Sequence, residues 1–153
     1  MSRLEEVNPF PWVDEEPQHP RRRDSKGSKI IKTELDHDLG VRYDVIHNFF
    51  GDEVVTIAPS IQKNWLCGYV TFPDGCPLPP EVNSGVEGEA NVHGGVTYST
   101  ENKDGSYTYG FDCAHLDDGA SARSNNPEWV LSEAKRLYKE IIRIKKESEQ
   151  NGS

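Results

Sequence analysis

The chain lacks the features that would place it in several large classes. Over 153 residues it has no apolar run approaching the roughly 20 residues that span a bilayer. Its acidic start has neither the basic nor the apolar region of a secretory leader. No membrane partner is expected, and a cytoplasmic location is. Cysteine is scarce: three thiols, an odd number, read as reduced side chains rather than a disulfide framework. Cations are outnumbered, with 17 Lys and Arg against 26 Asp and Glu, for a formal net charge of -9. A protein that grips phosphate backbones in general needs a basic surface, so general nucleic-acid binding is excluded. The charge suits a protein that presents carboxylates to someone else's basic groove. Apolar residues are few, at 34%, so part of the chain is expected to lie outside the core, although the length suits one domain.

What is present falls into three parts. Residues 1–29 carry four prolines, the acidic run Asp14-Glu15-Glu16 and the basic run Arg21-Arg22-Arg23. With little to bury, this charged stretch is expected to be a disordered tail, Phe10-Pro11-Trp12-Val13 being its one apolar patch, suited to docking on the domain or on a partner. Residues 30–147 are expected to form a single α+β domain, a small antiparallel β-sheet packed against a long C-terminal α-helix, and 148–153 a disordered end. Alternation at Val41, Tyr43 and Val45 and the β-branched run Val54 to Ile57 predict two or three strands between Ile30 and Ile57. A short helical turn is expected from Pro59 to Trp65, then a buried strand from Leu66 to Phe72, stopped by Pro73-Asp74-Gly75. The acidic cluster Glu34, Asp36, His37 and Asp38 matches no divalent-metal loop and reads as a solvated turn. The long proline-rich excursion that follows Phe72 is of a length that often lines binding sites.

The C-terminal segment carries the strongest signal. Asn126 can cap a helix, Pro127 fits its first position and Glu128 suits the positive end of its dipole. Val130, Ala134, Leu137, Ile141 and Ile144 then form one apolar stripe over about 18 residues. Burial of Trp129, Leu137, Tyr138 and Ile141 against the sheet is expected.

Between Asn91 and Asp118, two alternating runs flank Asp104-Gly105, a dipeptide suited to a tight turn, and predict a β-hairpin. A two-residue loop there pairs Tyr98 with Phe111, Val96 with Cys113 and Gly94 with His115, which sorts apolar from polar side chains. A one-residue offset would instead set Thr97 against Phe111 and His93 against His115. Gly94, Gly95, Gly110 and Ala114, within strands, would leave room for another backbone or a ligand to come close.

Taken together, Cys67-Gly68-Tyr69-Val70 with Pro73 and Pro77, Val92-His93-Gly94-Gly95-Val96-Thr97-Tyr98, and Gly110-Phe111-Asp112-Cys113-Ala114-His115 with Asp118 resemble a family of small uncharacterised proteins from bacteria and their phages. The resemblance runs from about Trp65 to Ile144. It implies a phage or bacterial context and marks His93, Asp112 and His115 as motif positions, without a reaction. The chain departs from it at Cys76, where a histidine would precede Pro77, and at Asp117, where a glycine would precede the final aspartate.

Two function classes follow. In the first, His93 or His115 acts as general base, oriented by Asp112 or Asp118, on a small polar or phosphorylated, nucleotide-like ligand held by Gly94, Gly95, Thr97 and Tyr98. In the second, an acidic, non-enzymatic protein of phage type inhibits a host defence complex, by filling a basic nucleic-acid groove or by sequestering a nucleotide signal. A zinc site from Cys67, Cys76, Cys113 and His115 lacks the spacing of a structural knuckle, so no metal is assigned and no cofactor follows from the residues. An enzyme gathers its motif residues in one concavity, whereas a groove-filling protein spreads carboxylates over a convex face.

Overall fold

A computed structural model describes residues 3–13, 26–50, 64–113 and 126–151. Five strands form one antiparallel sheet: β1 (Lys26–Asp36), β2 (Val41–Phe50), β3 (Asn64–Phe72), β4 (Tyr98–Glu101) and β5 (Tyr107–Asp112). Their order across the sheet is β1-β2-β3-β5-β4. Three one-turn helices, α1 (Arg3–Glu6), α2 (Pro80–Asn83) and α3 (Val86–Glu89), and one long helix, α4 (Pro127–Asn151), complete the described elements.

One side of the sheet carries the main core. Val41, Tyr43 and Val45 of β2, Leu66, Val70 and Phe72 of β3, and Tyr109 and Phe111 of β5 meet Val130, Ala134, Leu137, Ile141 and Ile144 of α4. The apolar stripe legible in the sequence is the buried one, with Trp129 and Tyr138 half-buried at its margin. Asn126 caps α4 as expected, its Oδ1 accepting from the Glu128 amide at 2.9 Å. The helix is longer than the stripe and includes residues 148–151, which were expected to be disordered. No glycine or proline interrupts it before Gly152, and Arg143 ties successive turns together through Glu140 and Glu147.

The centre of the sheet is locked by two glycine-aromatic pairs. Gly68 of β3 lies opposite Phe111 of β5, and Tyr69 lies opposite Gly110. On the helix side the Phe111 ring covers Gly68 so closely that a Cβ there would sit 2.6 Å from Cζ. On the other side the Tyr69 ring covers Gly110, where a Cβ would sit 2.3 Å from Cδ1. Each ring therefore needs the glycine across from it, and a one-residue slip of β5 on β3 would lose both fits.

The second face is covered by the N-terminal segment, contrary to the expectation of a tail through residue 29. Leu4, Val7 and Phe10 are buried. Phe10 stacks at a tilt on Tyr69 with centroids 4.8 Å apart and packs with Ile46 and Cys67. Arg42 donates to the Val7 carbonyl at 2.6 Å and pairs with buried Asp44 at 3.0 Å. Burial pushes the Asp44 carboxyl up, and Arg42 and the Thr33 hydroxyl oppose that shift. β1 starts at Lys26, four residues earlier than expected, because its backbone ladder with β2 continues as far as Phe50. Residues 14–25, with the acidic and arginine runs, lie outside the described residues, as do Val54 to Ile57 and the turn expected at Pro59; Trp65, placed at the end of that turn, belongs to β3.

The expected 91–118 hairpin is shortened and shifted. Tyr98 faces Gly110, Ser99 faces Tyr109 and Glu101 faces Tyr107, which is the offset register, not the favoured one. The cause is the loop. The Gly105 amide bonds the Asn102 carbonyl at 3.0 Å, the Asn102 amide bonds the Ser106 carbonyl at 2.8 Å, and Gly105 has φ 90°. Three residues thus stand outside the ladder instead of two, with Gly105 as the bulge.

Replacing Phe10 with Ala is expected to lower unfolding free energy by about 3 kcal/mol, as for other buried aromatics, with an earlier urea midpoint. A midpoint matching wild type would mean that the N-terminal segment is not part of the folded unit.

Candidate functional site

Of the residues singled out in the sequence, His93 and Asp112, which are described, do not come together. His93 is not on a strand. The Gly95 amide bonds the Val92 carbonyl at 2.9 Å, closing a turn in which Gly94 and Gly95 take φ 69° and 79°. Such angles suit glycine and break a strand, so the glycines expected to open a strand to ligand shape a turn instead. The His93 ring is half-buried and meets Trp129 of α4 edge-on, with centroids 5.2 Å apart. It therefore belongs to the helix side of the sheet.

Asp112 belongs to the other side. It ends β5 opposite Cys67, and strand alternation sends its side chain away from Phe111 and Cys113, both in the helix-side core. His93 and Asp112 thus have the sheet between them and form no acid-base pair. His115 and Asp118 lie outside the described residues. Thr97 is exposed and donates its amide to the Gly110 carbonyl at 2.9 Å. Tyr98 projects onto the second face, edge-on to Tyr69 at 5.5 Å. The space above Gly110, expected to admit a ligand, is filled by the Tyr69 ring. The chain's own aromatic groups occupy the opening that the glycine made.

The thiols are likewise dispersed. Cys67 packs under Phe10 on the second face, Cys113 is wholly buried on the helix side, and exposed Cys76 lies 3.4 Å from the Tyr109 hydroxyl. Among the described residues no three potential metal-binding side chains group together. Burial pushes the Cys67 thiol up to about 12, which leaves it protonated and unreactive near neutral pH.

What the structure does assemble is a segregation of charge. Residues 64–113 hold seven carboxylates and one cation, Lys103. Three segments bring four of these carboxylates, Asp74, Glu81, Glu101 and Asp104, to the β4 edge of the sheet. The turn at Asp74 abuts the hairpin tip, with a Cβ at Gly75 falling 3.4 Å from the Gly105 carbonyl. α2, carrying Glu81, is tied to β5 by Asn83, which donates to the Tyr107 hydroxyl at 2.8 Å and accepts from Tyr109 at 2.5 Å. Glu101 closes β4 opposite Tyr107. Asp74, Glu81, Glu87, Glu89, Glu101 and Asp104 are all exposed. Cations on β1 and α4 are in part neutralised, Lys32 by Glu128 at 2.7 Å and Lys135 by Glu34 at 2.6 Å. No ion pair among the described residues engages Glu81, Glu87, Glu89 or Glu101. The block was visible as a stretch nearly free of Lys and Arg; that its members share one edge was not. The acidic turn at Asp36 to Leu39 is solvated, as expected, with the Asp36 carboxylate accepting from the Leu39 amide at 3.0 Å.

No family model, curated protein or solved structure matches the chain. No helix among the described residues is long and apolar enough to cross a membrane.

Folded protein is expected to react with a thiol reagent at Cys76 alone, Cys67 and Cys113 appearing only in denaturant. Rapid modification of Cys67 or Cys113 under native conditions, read by peptide mass spectrometry, would contradict the burial described here.

Proposed function

We propose that the protein acts by binding, presenting its acidic edge to a basic surface of a partner protein and filling a groove that would otherwise hold a phosphate backbone. The observation that carries this reading is the gathering of exposed carboxylates at the β4 edge with Lys103 as the one cation in residues 64–113. A one-sign edge attracts and orients a basic partner over a distance set by the Debye length, about 8 Å at physiological salt. The resemblance to bacterial and phage proteins makes a host defence complex with a nucleic-acid groove the natural class of target.

The hydrolytic alternative is less well supported. His93 and Asp112 have the sheet between them, and a phosphorylated ligand approaching the His93 turn would meet Glu87 and Glu89 nearby. Repulsion between like charges disfavours that ligand and equally disfavours sequestration of a nucleotide signal at this edge.

The test begins with a partner co-purified from host lysate at low salt, followed by competition against a labelled duplex bound in that partner's groove. Wild type is expected to displace the duplex, less well as salt rises, and the D74N/E81Q/E101Q variant to need about tenfold more protein. His93→Ala, measured beside it, should compete like wild type. Unchanged competition by the neutralised variant, or loss of activity in a folded His93→Ala protein, would refute the proposal.

A further inference from the structure

The outer face of α4 carries a hollow of about 400 Å³, floored by half-buried Tyr138 and Ile142 and flanked by Lys139, Arg143 and Lys146. It runs between two rows of side chains spaced four residues apart, Tyr138-Ile142-Lys146 and Lys139-Arg143-Glu147, the kind of groove into which a second protein segment packs. Arg143 is already committed to Glu140 and Glu147. Lys139 and Lys146 remain as exposed cations, and no described ion pair uses them.

Beside this groove lies its charge complement. α3, with exposed Glu87 and Glu89, is fastened to α4 by Arg143, which donates to the Glu89 carbonyl at 2.9 Å, and by Glu140, which accepts from the Asn91 amide at 2.8 Å. Opposite charges fixed side by side on one molecule are self-complementary under a two-fold rotation about their seam: each acidic patch meets the other copy's basic groove, and both contacts form at once. A direct α4 to α4 packing would instead bring Lys139 and Lys146 near the same lysines of the other copy. A lone small anion would engage the lysines and leave the apolar floor uncovered.

We propose that the protein is a two-fold dimer in which Glu87 and Glu89 of each copy face Lys139 and Lys146 of the other across the hollow floored by Tyr138 and Ile142. The carboxylates assigned above to a basic partner, Asp74, Glu81 and Glu101, are not used, so either inference stands without the other. The dimer presents two acidic edges and gives bivalent attachment to any target with two sites within reach.

Sedimentation velocity over a concentration series is expected to show a species of twice the 17.2 kDa chain mass. K139E/K146E and E87K/E89K, each placing like charges across the seam, should each associate about a hundredfold more weakly. Mixed in equal amounts, the two variants should recover the dimer, because both contacts become complementary again; circular dichroism establishes that each is folded. Three results would overturn the proposal: a wild-type monomer throughout the series, an undiminished dimer of K139E/K146E, or a mixture that stays monomeric.

Discussion

The reciprocal fit of Gly68 under Phe111 and of Gly110 under Tyr69 is the constraint on which this fold rests. It joins β3 to β5 in one register and does so on both faces at once. The ring on the helix side becomes part of the core beneath Val130; the ring on the other side becomes the platform on which Phe10 and Tyr98 settle. A larger residue at either glycine would push a buried aromatic out of a close-packed layer, in which even one added carbon is felt. The Gly-Tyr and Gly-Phe pairs that stand out as motifs therefore have a structural role that needs no ligand.

The same constraint governs what surrounds the motifs. Once Tyr69 covers Gly110, the second face has an aromatic surface too apolar to leave in water, and Phe10 closes over it. Once Phe111 and Cys113 are committed to the helix side, Asp112 is sent to the opposite side, away from His93. The separation of His93 from Asp112 is thus a consequence of the packing that makes the sheet stable. At the surface, carboxylates are concentrated in a stretch, residues 64–113, whose one Lys or Arg is Lys103. Such a surface discriminates among partners by charge, which is the basis of the binding function proposed above.

Much of the architecture was legible from local rules. The cap at Asn126, the apolar stripe of α4, the strand from Leu66 to Phe72 and the breakers after it depend on near neighbours and periodicity, and all are found. An antiparallel sheet against a long C-terminal helix followed from those elements. The hairpin was legible as a hairpin but not in its register, because Asp104-Gly105 is compatible with both a two-residue and a three-residue loop. The hydrogen bonds that Asn102 and Gly105 make in the folded loop decide for the three-residue form. Likewise Gly94 and Gly95 have the same composition whether they line a strand or shape a turn. Only the packing of His93 on Trp129 and of Gly95 beside the Glu87 carbonyl decides it.

By itself, then, the order of residues determined the secondary elements that local periodicity and capping can specify, the excess of negative charge and the stretch in which that charge gathers. Tertiary structure alone decided that Phe10 is core rather than tail, that His93 and Asp112 are separated by the sheet, and that carboxylates far apart in the chain share one edge. The physical reason is range: helix caps, turns and alternation act over a few residues, whereas burial and charge proximity depend on segments that meet only after the sheet has formed.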